Sequence, residues 1–259
     1  DDLENFSDWF DIALREWNVS RPKDFPSVSV WQTSPNWFTN EERHLKGLIE
    51  DSRGRFSEAE IKHRAEIDRL EKELGAASEE ALEGRKRLLS TQDEPLQRAV
   101  FEGLIDLGFD VQDMDLVWEE RQHREDYRIT DPDVPGWLVI GDATGVATGA
   151  KGSKIATVIG YVTKYAIEEK PDSPPSVWVL VNHLIDRDPD TRGDIYRADD
   201  LNVLVTEKGL AIDTSALYLL VEACSPNEDK CRKARQWLRS TYGQITVENA
   251  RSWLSENEI

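Results

Sequence analysis

The stretch GWLVIGDATG, residues 136–145, decides how the rest of the chain is read. Its apolar run WLVI, flanked by glycines, reads as a buried strand. The run closes on a carboxylate, Asp142, and then on a second glycine-rich turn. A buried strand that finishes in a carboxylate is unusual. A second acid, Asp126, stands in REDYRIT (124–130), which also reads as a strand. Two carboxylates on neighbouring strand ends can share a divalent cation, because Mg²⁺ prefers oxygen ligands. Such an ion polarises a phosphate and activates water. Acidic residues also commonly end strands where loops begin, and spacing alone leaves both readings open.

Working outward, Pro95 suits the first turn of a helix, where its missing N–H is not needed. Val100, Leu104, Ile105 and Leu107 mark that helix's buried face, and Gly108 fits its C-terminal cap. Three extended segments follow, at 109–118, 124–130 and 137–143. After a glycine-rich turn at 145–153, residues 154–168 read as a helix. Residues 177–182 and 202–206 read as strands, and 213–224, 229–241 and 247–256 as helices. This order predicts an α/β protein, a mixed sheet flanked by helices.

The N-terminal third differs in composition. Residues 3–16 place Phe6, Trp9, Phe10, Ile12 and Leu14 on a short amphipathic helix. Residues 18–40 carry Pro22, Pro26 and Pro35 with Trp31 and Trp37, a loop with aromatic anchors that dock on this protein's own core or on something else. Residues 41–90 lack proline and are rich in Glu, Lys, Arg, Ala and Leu, hence a long helix. Ile67, Leu74, Ala81 and Leu88 recur at heptad spacing, with Leu70, Ala77 and Gly84 as the second line. Upstream of Ile61 the pattern fades, and Gly47 and Gly54 are candidate breaks. The division expected is 1–40, a helical arm at 41–93 and a sheet domain at 94–259. The arm offers a surface for a homodimer, a protein partner or an antiparallel helix of the same chain.

Charge limits the partners. The chain of 259 residues carries 32 basic and 51 acidic side chains, a net −19. An acidic body repels phosphate at long range, so contact with DNA or RNA needs a local basic patch or a bound metal. KCRKARQWLR (230–239) supplies the candidate patch: Lys230, Arg232, Lys233, Arg235 and Arg239. A solvated helix face is the competing reading. No apolar run approaches the roughly 18 residues that span a bilayer, and the acidity fits a cytoplasmic protein. Cys224 and Cys231 read as ordinary thiols. His44, His63, His123 and His183 share no ligand spacing, and GVATGAKGSK (145–154) lacks the spacing of a phosphate-binding P-loop.

Taken in order, EPLQRAVFEGLIDLGFDV (94–111), HREDYRI (123–129) and GWLVIGDATG (136–145) resemble the opening of a PD-(D/E)XK nuclease domain. VWVLVNHLIDRDPDTR (177–192) is similar to the next strand of a restriction-endonuclease-like subfamily, in which an Asn ends the strand and Pro-x-x-Arg follows. LNVLVTEKGL (201–210) resembles its last strand. The resemblance covers about 150 residues and implies a restriction-endonuclease-like core sheet with helices on both sides. It implies that Asp126 and Asp142 bind Mg²⁺ together with the main-chain carbonyl of Ala143. Glu102, or Glu94, matches the helical acid that some members use. Thr144 stands where the family has its catalytic lysine, and Thr157, Val158 and Ile159 occupy a region that often carries Gln.

The lysine positions water and offsets charge in the transition state. A neutral, short threonine supplies neither, and losing one such group costs about 10²–10³ in rate. The first expectation is therefore a nuclease-fold module that has lost activity, a binding or assembly domain in a setting of prokaryotic DNA processing or phage defence that the resemblance alone implies. The second is an active metal-dependent endonuclease in which Lys151 or Lys154 replaces the missing lysine. A third is an interaction protein without a nucleic-acid role.

Overall fold

A computed structural model describes residues 2–25, 34–118 and 124–259. Pro26, Trp31 and His123 lie outside the described residues. The chain divides into two compact units, one up to Leu74 and one over Gly75–Ile259.

The first unit is helical. Helix α1 spans Asp2–Ser20, longer than the hydrophobic pattern predicts. A short 3-10 turn at Pro35–Trp37 leads to helix α2, Asn40–Glu83. Trp37 on that turn is exposed rather than a core anchor. Gly47 and Gly54 do not break α2. A single helical glycine costs only about 1 kcal/mol relative to alanine, and the glutamate, lysine and arginine around them are good helix formers. Ile67, Leu70 and Leu74 are exposed on α2, whereas Leu88, the last position of the heptad line, belongs to the core of the second unit.

That second unit is built on one six-stranded sheet in the order β1-β2-β3-β4-β5-β6. The strands are β1 Asp110–Asp113, β2 Tyr127–Thr130, β3 Leu138–Val146, β4 Ser176–His183, β5 Leu210–Asp213 and β6 Gly243–Ile245. The first three run antiparallel as a meander, and β3 to β6 are parallel. The helices are α3 Arg87–Ser90, α4 Asp93–Asp106, α5 Ser153–Glu169, α6 Ala198–Thr206, α7 Thr214–Cys224, α8 Glu228–Ser240 and α9 Val247–Glu256. The mixed sheet with helices on both faces is the architecture that the sequence predicts.

Side chains alternate across a strand, and β3 shows the consequence. Val139 and Ala143 face a core shared with Leu96, Val100, Leu104, Leu217 and Leu220 of α4 and α7. Ile140 faces a second core with Ile155 and Val158 of α5 and Leu204 of α6. Asp142 and Thr144 share the α5 side. Strand β3 continues to Val146, so Asp142 lies within the strand and not at its end. Gly145 lets β3 pass the turn into α4, since a side chain there would overlap the main chain of Gln92.

Two segments differ from expectation. Residues 202–206 form the end of helix α6, and the strand follows at Leu210–Asp213. The run VLVT has strand-like composition, but only Leu204 is buried while Val203 and Val205 are half exposed. Leu201 and Leu204 pack at helical spacing, and Asp199 and Asp200 favour the helix start. The four residues LAID, all buried, are the better strand. Strand β6 is too short to leave a periodic signal.

The ends of β4 and β5 are tied to α3 by a buried polar clasp. The Arg192 guanidinium donates through one nitrogen to Asn182 Oδ1 (2.7 Å) and Ser215 Oγ (3.2 Å), and through the other to the Leu89 carbonyl (2.8 Å). Asn182 in turn donates to the Thr91 carbonyl (2.8 Å), and Thr214 to Leu88 (2.6 Å). Asp213 accepts from the Ser215 amide at the start of α7. The Asn and Pro-x-x-Arg pattern is thus a strand terminus and the cation that closes over it. Replacing Arg192 with Met leaves two enclosed acceptors without donors, and we expect a loss of about 2–5 kcal/mol. In urea melts this appears as a lower midpoint with the same slope. Arg251→Met, which removes only the exposed pair with Asp190, is expected to cost below about 1 kcal/mol.

Candidate active site

Asp126 precedes β2 directly and Asp142 lies in β3, so the meander sets the two carboxyls side by side. The Asp126 main chain is fixed on both edges: its amide donates to the Gly141 carbonyl (3.1 Å), and its carbonyl accepts from Met114 (2.8 Å). Its side chain accepts a hydrogen bond from the Ala143 amide at 2.7 Å. The N–H and C=O of one strand residue point to the same edge, so the Ala143 carbonyl also faces Asp126. The β2–β3 ladder has its last pair at Tyr127 and Gly141, which puts that carbonyl beyond the paired region.

Lys154 occupies the first turn of α5, and its ammonium lies 2.5 Å from Asp142 Oδ1. That buried oxygen has no further donor among the described residues, and the charge and hydrogen bond of the lysine draw the Asp142 pKa down. The turn that delivers Lys154 is held by its own amide, which donates to the Lys151 carbonyl (3.0 Å). Lys151 itself is exposed and makes no ion pair with a described residue. Of the two candidate lysines, the fold brings only Lys154 to the acids.

Burial raises the pKa of both acids. Asp126 is pushed up to about 7 by desolvation and by the charge of Asp142, against the Ala143 amide and Lys154, which lower it. Asp142 is raised chiefly by desolvation and drawn back by Lys154. One ammonium facing two carboxylates leaves a surplus of negative charge in a poorly solvated place. The two carboxyl groups and the Ala143 carbonyl make an all-oxygen donor set. Mg²⁺ accepts such a set, since it keeps several waters and needs only one or two carboxylates. Among the described residues no group of three or more His, Cys, Asp or Glu side chains gathers as a metal cluster, which sets the site apart from a structural zinc centre.

The other expected residues fall elsewhere. Thr144 is half buried on the same face as Asp142, one pleat along. Glu102 is paired with Arg98 on α4 (2.9 Å), and Glu94 is exposed in the first turn of that helix. Neither is among the charges acting on the two acids, and Asp115, after β1, takes that place. The basic patch is not a free cationic face. Arg235 is buried against Asp131 and Asp133 and donates to the Leu107 carbonyl, beside the left-handed Gly108. Arg239 pairs with Asp131 (2.8 Å), and Arg232 with Glu228, Asp229 and Asp133. Of the five, Lys230 and Lys233 alone have no ion pair with a described residue. Two site neighbours escaped the sequence reading. Tyr161 lies two turns after Lys154 on the same face of α5, a spacing that could have revealed it. Its hydroxyl pKa is raised by burial and then by Asp142. Tyr196 arrives from a connecting segment that has no periodic signal.

No protein-family model matches the chain, and no curated protein does. Among solved structures, the restriction endonuclease FokI is similar to it with a TM-score of 0.43 and 15% sequence identity. The match covers 62% of this chain and 30% of that enzyme's. At that level the likeness assigns no role to any residue.

The raised Asp126 pKa gives a test of the site's electrostatics. An ordinary aspartate titrates near ~3.9. A group whose folded pKa is raised contributes stability that is fully present below the unfolded value and lost as pH rises through the folded one. In metal-free buffer, Asp126→Asn is therefore expected to be more stable than the parent at pH 8. The gap should close as pH falls through about 7 towards ~4, as followed by melting temperature. A gap that widens in acid would refute the assignment.

Proposed function

We propose that this protein is a metal-dependent phosphodiesterase acting on nucleic acid, with Lys154 in the role of the missing strand lysine. The observation that carries this reading is the 2.5 Å approach of the Lys154 ammonium to Asp142. A lysine belongs where negative charge develops, and Lys154 reaches that place from the helix that follows β3. Its side chain is 30% exposed, against 3% for Asp142, so it borders the buried acids and an accessible surface.

Asp126, Asp142 and the Ala143 carbonyl would hold Mg²⁺. When bound, the ion polarises a phosphoryl oxygen and favours deprotonation of water. The protein's own part is placement. The Ala143 amide orients Asp126, the antiparallel ladder holds Asp126 beside β3, and Lys154 offers a fixed positive charge to the phosphate. Because these groups are set by strands and by the first turn of a helix, little reorganisation accompanies the reaction. The Tyr161 hydroxyl, which feels the charge of Asp142, would be available to orient a phosphate oxygen or water.

A specific observation favours the rival reading, a nuclease-fold domain kept for binding or assembly. Thr144 leaves the strand position neutral, and Lys154 is engaged with a carboxylate that the ion would also need. Labelled single-stranded and duplex DNA and RNA, incubated with Mg²⁺ or Mn²⁺, separate the two. Cleavage is expected, and Asp142→Ala or Lys154→Ala should lower its rate by about 10²–10³, while Lys151→Ala keeps the chemical step. Absence of cleavage on every substrate, by protein verified as folded, would leave the binding module as the function.

A further inference from the structure

Helix α2 has no buried residue, yet a mainly apolar line runs along it. From Ser52 the line passes through Phe56, Ala59, His63, Ile67 and Leu70 to Leu74, in steps of 4, 3, 4, 4, 3 and 4 residues. On a helix of 3.6 residues per turn these positions fall within about 80° of one another. A strict heptad fades upstream of Ile61 because the step after His63 is four where the heptad needs three. The line itself continues through that step. Its large members are exposed, from 49% at Leu70 to 71% at Phe56. A contiguous apolar row of this kind marks a surface that another molecule covers.

We propose that the line is covered by α2 of a second copy of this chain, running antiparallel about a twofold axis at His63. Two observations choose that occupant, and neither depends on the phosphodiesterase reading. The first is size. Residues equally distant from His63 on its two sides meet across the axis: Phe56 with Leu70, Ala59 with Ile67, and Ser52 with Leu74. A small residue thus faces a large one in two of these layers, as close packing requires. A parallel pair would crowd Phe56 on Phe56 and leave Ala59 facing Ala59 over a gap. The second is charge. One flank of the line carries Arg53, Glu60, Arg64 and Glu71, and the other carries Arg55, Lys62, Glu66 and Glu73, all exposed. In an antiparallel pair each flank meets the same flank of the copy in reverse order. Arg53 then lies beside Glu71 and Glu60 beside Arg64. On the other flank Arg55 lies beside Glu73 and Lys62 beside Glu66. Every contact joins opposite signs, and symmetry repeats each one. A parallel pair, whose contacts run from one flank to the other, would set Glu66 against Glu71. Arg69, further round the helix, holds Glu66 (2.7 Å) and Glu73 (2.8 Å) within its own chain. Those pairs are exposed and weak, so the carboxylates are free to be shared.

Sedimentation equilibrium of the full chain over a concentration series tests the proposal. The parent is expected to be a dimer. Arg53→Glu with Arg55→Glu sets like charges in four contacts across the axis and should weaken the dimer about 10²-fold. Adding Glu71→Arg with Glu73→Arg to that variant restores opposite signs and should restore the parent's affinity. Recovery of this kind separates pairing from a folding defect, and far-UV circular dichroism checks the helix content of each variant. Direction is read by pulsed electron resonance on nitroxides attached at Glu50→Cys, since Cys224 and Cys231 are buried. The labels should lie about 39 Å apart along the helices in the antiparallel pair, whereas a parallel pair sets them level. A parent that stays monomeric at every concentration overturns the proposal. So does a dimer that the first exchange leaves intact, one that the second exchange fails to recover, or one whose labels lie level.

Discussion

Two carboxylates taken out of water on adjacent strands have to be compensated, and the compensation around Asp126 and Asp142 is deliberately incomplete. A buried ion without partners costs several kcal/mol after relaxation. Here one amide and one ammonium face two acids. The shortfall appears as raised carboxyl pKa values. A protein selected only for stability would place an apolar pair at these positions, because a half-satisfied polar cluster is worse than a packed one. Strain of this kind concentrates where a ligand is to be bound.

Such a site works only if its frame does not relax around it. The parallel half of the sheet is closed by Arg192, whose guanidinium joins the end of β4 to α3 and to the start of α7. The hairpin between β2 and β3 is closed from below by Arg235 and Arg239, which hold Asp131 and Asp133. In both places a buried arginine is bound by several acceptors in fixed directions, the use to which its planar fork is suited. The arginines that look like a nucleic-acid surface in the sequence are therefore spent on holding the turn that aligns the two acidic strands.

Much of this was legible in the sequence because it is written in local pattern. The run WLVIGDA, the alternation in REDYRIT and the Pro95-to-Gly108 helix each carry a period or a cap that survives without neighbours. The segment LNVLVT misled because composition and period disagree there: its β-branched residues speak for a strand, while the spacing of Leu201 and Leu204 is helical. Pairing was illegible for a different reason. Whether Arg235 meets solvent or Asp131 depends on residues about a hundred positions apart, and no local signal encodes that.

Lys154 shows how a charge can reach a strand carboxylate from outside the strand. A side chain at position 144 would reach the acids from the strand that carries Asp142, one pleat further along. Lys154 reaches them from the opposite layer, across the interface between β3 and α5. Both routes end at the same carboxylate, because α5 descends over β3 directly after the glycine-rich turn and its first turn overhangs Asp142. The cost of the second route is dependence on packing. A strand lysine is positioned by the sheet alone, whereas Lys154 is positioned by the seating of α5 through Ile155 and Val158 on the face that holds Ile140 and Val179. Charge placement at Asp142 is therefore coupled to that hydrophobic interface. Thr144 is neutral, and the positive charge at Asp142 comes from the α5 interface and not from the strand.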